Sequence, residues 1–196
     1  MDTSFPALLG LVRDTVIDPR AGARRLIEAR LPMNVRWLAL ALVVVLSVLL
    51  GHLTLQMTAA TSGLMGGMLA GPFPSLLLQG GVLMIMALAV HQVGRMMGGG
   101  GNFADALLLV AFLQGIMLVI QLLQIAALLL MPPLAGILSL VGFAVFLWVL
   151  TGFVAEIHGF RSLLGVFGMI VVTAFGVAFL IAMMLAMLGV GPPAPT

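Results

Sequence analysis

Residues 103–133 read FADALLLVAFLQGIMLVIQLLQIAALLLMPP, an apolar run that carries three glutamines and stops at two consecutive prolines. Its one charged side chain, Asp105, lies at the start. A hydrocarbon core of about 30 Å takes roughly 20 helical residues, so the run is long enough to cross a bilayer. Pro132 and Pro133 lack the amide donors that would let it continue. Working outward, the same pattern recurs over residues 37–57, over about 75–93 after Pro72 and Pro74, from the Pro132 turn to about 154, and over about 162–188. The whole chain agrees: 63% of its 196 residues are apolar and 7% charged, against about 25% charged in soluble domains. With a mean hydropathy of +1.30, a soluble domain is excluded. A lone span must satisfy its own backbone within lipid, so all five are expected to be helices.

The expected class is therefore all-α, a polytopic membrane protein built as a five-transmembrane-helix bundle with an N-terminal amphipathic interfacial segment. Its organisation divides into a basic segment (1–35), a five-span membrane domain (36–190) and a short Pro-rich tail (191–196). Arginines near span ends stay preferentially in the cytoplasm. Arg13, Arg20, Arg24, Arg25, Arg30 and Arg36 precede span one, Arg95 lies between spans two and three, and Arg161 between four and five. Five spans put all eight on one face, whereas residues 58–71, the Pro132 turn and residues 190–196 carry no charge. The expectation is a cytoplasmic N-terminus and a C-terminus on the opposite side. The start is not expected to be a cleaved signal, because Asp2 replaces the usual positive charge and Arg13 and Asp14 interrupt the apolar run 5–12.

Within the basic segment Phe5, Leu8, Leu9, Val12 and Val16 recur at helical spacing, and Asp18 before Pro19 supplies an N-cap and a first-turn proline for a second short helix ending near Pro32. There Arg20, Arg24, Arg25 and Glu28 share one arc and Ala23, Leu26 and Ile27 another. Both helices read as interfacial, anchoring beside an anionic leaflet or docking a protein.

Ionisable groups at mid-membrane depth are the default pointer to transport or catalysis, and the spans hold almost none. Asp105 and Glu156 sit at cytoplasmic span ends near Arg95 and Arg161, and Asn102 is placed to cap span three with Asp105 at its third position. The three histidines suggest haem, but His52 falls near the outer end and His91 near the inner end, and His158, read as a loop residue, has no ligand spacing with His91. Interhelical hydrogen bonding is the expected use of all three. Gln114, Gln121 and Gln124 lie within about 80° of one helical face, so that stripe faces protein as interhelical glue or water as a solute path. Ser47 with Gly51, Gly136 with Ser139 and Gly142, and Gly165 with Gly168 read as close-packing positions.

Gly98 to Gly101 lacks the lysine and the preceding strand of a phosphate loop. Fifteen methionines are scattered through the spans as packing residues, and zero cysteines exclude disulfides and thiolate metal sites. No cofactor, metal or catalytic residue is expected. The sequence pI near 11.2 reflects the absence of lysine, tyrosine and cysteine, and no nucleic-acid partner is expected at a net charge of +2.

Three short stretches, Asp18-Pro19-Arg20, the turn from Gly99 to Asp105 (GGGNFAD), and the loop from Ala155 to Ser162 (AEIHGFRS), together with five spans, resemble the bacterial branch of the Yip domain family, the Ypt-interacting proteins. The last loop looks like that of alphaproteobacterial members, and the resemblance covers about residues 10–190. It implies a five-span protein with a cytosolic N-terminus and no established catalytic site. Eukaryotic relatives work in vesicle trafficking, contacting small GTPases and one another through cytosolic and membrane segments, and carry a longer cytosolic N-terminus with a Tyr-Gly-Pro type motif that this tyrosine-free chain lacks.

The functional expectation is a non-enzymatic adaptor or organiser of the bacterial inner membrane. Its partners are the lipid bilayer, a membrane or cytoplasmic protein, and a further copy of the chain, with Arg95, Asn102, Asp105, Glu156, His158 and Arg161 as the partner-binding surface. The alternative is a small-solute transporter or transporter subunit using the Gln114, Gln121 and Gln124 stripe. A lipid-modifying enzyme using Glu156 beside His158 ranks third.

Overall fold

The computed structural model describes residues 5–58 and 71–187. Residues 59–70 of the outer loop read at 58–71, and the tail from residue 188, lie outside the described residues. Seven helices follow one another: α1 (Phe5–Ile17), α2 (Pro19–Glu28), α3 (Met33–Thr58), α4 (Pro72–Met96), α5 (Phe103–Leu130), α6 (Pro132–His158) and α7 (Leu163–Met187). The last five are each long and apolar enough to cross a membrane, and no strand occurs among the described residues. The protein is an all-α multi-pass bundle.

The helix ends follow local chemistry. Asp18 Oδ1 accepts the Ala21 amide at 3.1 Å and Pro19 opens α2, as its sequence suggests. That helix closes at Glu28, short of Pro32, and α3 starts directly after Pro32, whose carbonyl accepts the amides of Val35 and Arg36. Pro72 and Pro74 sit inside the first turn of α4, where proline's missing donor goes unused. The main departure is α6. It runs four residues past 154, carries Glu156 and His158 on its last turn, and ends at Gly159 in the left-handed region (φ 71°). His158 is thus a helix residue and not a loop residue, because only at Gly159 does the backbone adopt a conformation that favours glycine.

Helix α5 is the hub, in contact with α2, α3, α4 and α6. Its residues 106–111 are buried on every side, as suits a helix that is hydrophobic all round. The core lies toward one end of the bundle, where α3, α5 and α7 begin and α4 and α6 finish. Leu40 and Val44 of α3, Leu83 and Ala87 of α4 and Leu107 to Ala111 of α5 form part of it, and Leu109, Leu113 and Ile116 meet Val149, Phe153 and Val154 of α6 in the rest. Toward the other end the side chains open to lipid. Helix α7 is peripheral: it packs on α6, and Val166 is its only buried side chain among those described. Exposed Leu164, Val172, Phe175 and Phe179 carry no penalty where the solvent is itself apolar.

The apolar arc of α2 is covered by protein. Ala23 and Leu26 join the core formed by α5 and α6, and the Trp148 indole donates to the Val16 carbonyl at 3.0 Å, tying the end of α1 to α6. Close approach is made possible by Gly152, where an added Cβ would overlap the Pro19 ring. Of the small residues read as packing positions, Gly142 faces Ile120 and Ser47 is buried. Gly51, Gly136 and Gly168 face open space, and Gly165 meets only Ser162, because these faces point away from any neighbouring helix. Overpacking typically costs about 1–3 kcal/mol. Gly152→Ala should therefore lower the thermal midpoint in detergent, whereas Gly136→Ala should leave it unchanged; equal midpoints would refute the docking of α2 on α6.

Candidate functional site

Both carboxylates carried by the long helices are already engaged. Glu156 on the last turn of α6 accepts Arg20 Nε at 3.1 Å and Arg24 Nε at 2.9 Å, so α2 spans the α6 terminus through two guanidinium groups one helical turn apart. Arg20 also donates to the Phe160 carbonyl at 3.0 Å. The hydrogen bond to Glu156, and then its charge, hold the Arg24 guanidinium above its ordinary pKa. Asp105 on the first turn of α5 accepts Arg36 Nη1 at 2.5 Å, and Arg36, 7% exposed, donates its Nε to the Leu31 carbonyl. Asn102 caps α5 as its position suggested: its Oδ1 accepts the Asp105 amide at 2.8 Å and its Nδ2 donates to Asp105 Oδ2 at 2.6 Å.

These pairs use Arg20, Arg24 and Arg36, which the sequence reading placed outside the binding surface. Arg95, on the last turn of α4, and Arg161, between α6 and α7, are exposed and have no hydrogen bond or ion pair among the described residues. Only the common location of all arginines at one end was visible beforehand; which arginine meets which acid depends on how α2 and α3 pack.

His158 is buried between the end of α4 and the turn that leads into α5. Its buried imidazole accepts the Gly101 amide on Nδ1 at 3.2 Å and donates from Nε2 to the Val90 carbonyl at 2.9 Å, so the neutral ring with its proton on Nε2 satisfies both partners. It stacks on Phe160 with centroids 5.5 Å apart. Cβ atoms built at Gly94, Gly99 and Gly101 would all overlap this ring. The glycine-rich turn after α4 is thus shaped to receive an imidazole, and it seals the end of α6 against the start of α5. Two other histidines depart from the expected interhelical bonding: His52 Nε2 and His91 Nδ1 are buried without a hydrogen-bond partner among the described residues. No group of three or more His, Asp or Glu side chains arranged to hold a metal occurs among the described residues.

The glutamine stripe divides. Gln114 donates to Ser47 at 2.7 Å, and Ser47 in turn donates to the Val43 carbonyl at 2.6 Å, which ties α5 to α3. Gln124 reaches Ser139 of α6 at 3.4 Å. Gln121 has no hydrogen bond among the described residues.

A family model for the Yip1 domain matches residues 13–189. The chain belongs to the Yip1 family. Among curated proteins and among solved structures, none matches it. The matched range begins inside α1 and takes in α2 and all five long helices, so the arginine arm falls within the Yip1 domain.

Two measurements probe this end of the Yip1 domain. Gly99→Ala and His158→Ala should each destabilise the protein, and the double variant should lose less than the sum by about 0.5–3 kcal/mol, the usual coupling between touching groups. Arg36→Gln strands a mostly buried carboxylate and should cost about 3 kcal/mol, with Asp105→Asn recovering part of the loss. Additive behaviour in denaturant-unfolding midpoints would contradict both contacts.

Proposed function

We propose that this Yip1-family protein is a non-enzymatic adaptor of the bacterial inner membrane that binds an acidic protein partner at the arginine-bearing end of its bundle. In this reading that end is cytoplasmic, as the concentration of arginines there supports, and the opposite end, with the C-terminus, faces the periplasm. The carrying observation is the imbalance of charge. Eight arginines face six acids: Glu156 is paired with Arg20 and Arg24, Asp105 with Arg36 and Asp14 with Arg25, while the guanidinium groups of Arg95 and Arg161 are exposed and unpaired among the described residues. Asn102 is exposed beside them in the same turn-rich end, and His158 serves as the internal post that holds the two turns together.

Solute transport has the amides of Gln121 and Gln124 in its favour. Against it, Gln114 is committed to Ser47, and Leu113 and Ile116 are fully buried in the core, so a path through the bundle would require that core to part.

Crosslinking with mass spectrometry in native membranes tests the adaptor reading. The double variant Arg95→Glu with Arg161→Glu should abolish the crosslinks of the intact protein while its thermal midpoint stays within a degree or two, since neither side chain is packed. Crosslinks that survive the double charge reversal at full yield would refute this surface.

A further inference from the structure

Away from the arginine-bearing end, α3 and α6 diverge over α5. The slot between them has a volume of about 400 Å³ and is lined by Thr54, the α5 residues Met117, Ile120, Gln121 and Gln124, and the α6 residues Ser139, Gly142, Phe143 and Phe146. One wall is polar, with two amides and the Ser139 hydroxyl. The remaining walls are apolar apart from Thr54, whose hydroxyl donates to the Leu50 carbonyl. Since α3 and α6 make no extensive contact with each other, and Phe143 is 63% exposed, the slot opens sideways into lipid.

An amide at this depth is short of partners. Gln124 lies six residues before the end of α5 at Leu130, which places it roughly 9 Å inside that end at 1.5 Å per residue. Gln121 lies one turn deeper. Gln124 makes one long bond to Ser139, and Gln121 none among the described residues. An unsatisfied amide in an apolar medium costs several kcal/mol, so a ligand with acceptors at this depth is favoured.

Phe143 and Phe146 also border a second cavity. It measures about 520 Å³, lies between α4, α6 and α7, and runs past Val82, Val90, Leu150 and Ala178 with Thr173 as its one polar lining residue. The two rings therefore join a polar slot to a long apolar groove that passes mid-span and reaches Val93 and Val154 near the arginine-bearing ends of α4 and α6. A glycerol-ester lipid has this layout: carbonyl acceptors near the membrane surface and an acyl chain running inward.

We propose that slot and groove form one binding site for a single diacyl glycerophospholipid. The Gln121 and Gln124 amides donate to its ester carbonyls, and one acyl chain passes Phe143 and Phe146 into the groove. The polar wall carries no charge, so the site selects the ester region and not the headgroup. This inference is independent of the adaptor reading, which concerns the other end of the bundle.

Native mass spectrometry of the full chain released from phosphatidylethanolamine nanodiscs tests it. The protein should retain one lipid at collision energies that strip the rest. Gln121→Leu with Gln124→Leu should reduce the retained fraction about tenfold, in keeping with two bonds each worth on the order of 0.6–1 kcal/mol. A diether lipid with the same headgroup, lacking the carbonyls, should show the same loss on the unaltered protein. Ala178→Phe, which fills the groove without touching the amides, should also lower retention, and because its side chain faces lipid it guards against a folding artefact in the glutamine variant. No retained lipid, equal retention of diester and diether lipids, or retention unchanged by both variants would overturn the proposal.

Discussion

Hydrocarbon offers a charge no partner, and this chain resolves the difficulty by bringing the charged side chains of its described residues to one end and pairing the two acids of its long helices there. Asp105 and Glu156 are both held by arginines on elements that precede the second span. Those pairs join the N-terminal arm to α6 and the start of α3 to the start of α5. The densest packing follows the charges: α5 is wholly enclosed over the six residues after Asp105, and it loosens toward the end that has no charge among its described residues.

Helix identity and number were legible because a lipid-spanning segment has a simple requirement, some twenty apolar residues ended by proline, glycine or charge. Caps were legible for a similar reason: Asp18 and Asn102 act within three residues of themselves. The site was legible only as a location. The convergence of Glu156 with Arg20 spans 136 positions, and no local pattern specifies which of eight arginines takes which of two acids. Gly152 and the glycines around His158 could not be told in advance from Gly51 or Gly136, because closeness depends on what lies opposite. The terminus of α6 was misread for a related reason. Glu156 and His158 look like loop residues when polarity is the guide, yet each is satisfied by a contact that allows the helix to continue.

The three stretches that carry the family resemblance turn out to be one structural unit. Pro19 seats on Gly152 beside the Arg20–Glu156 pair, and His158 fills the hollow of the glycine turn. Segments separated by some 140 residues thus meet around the last two turns of α6. The glutamines follow a different logic. Gln114 fastens two helices within the tight half of the bundle, whereas Gln121 and Gln124 lie where the helices have parted.

Helix α7 touches little besides α6, and this bears on biosynthesis. It leaves the ribosome after all the other helices and adds only Val166 to the buried core, so most of the enclosed half of the protein can close without waiting for it. Its insertion then adds a crossing to the topology and very little to the assembly.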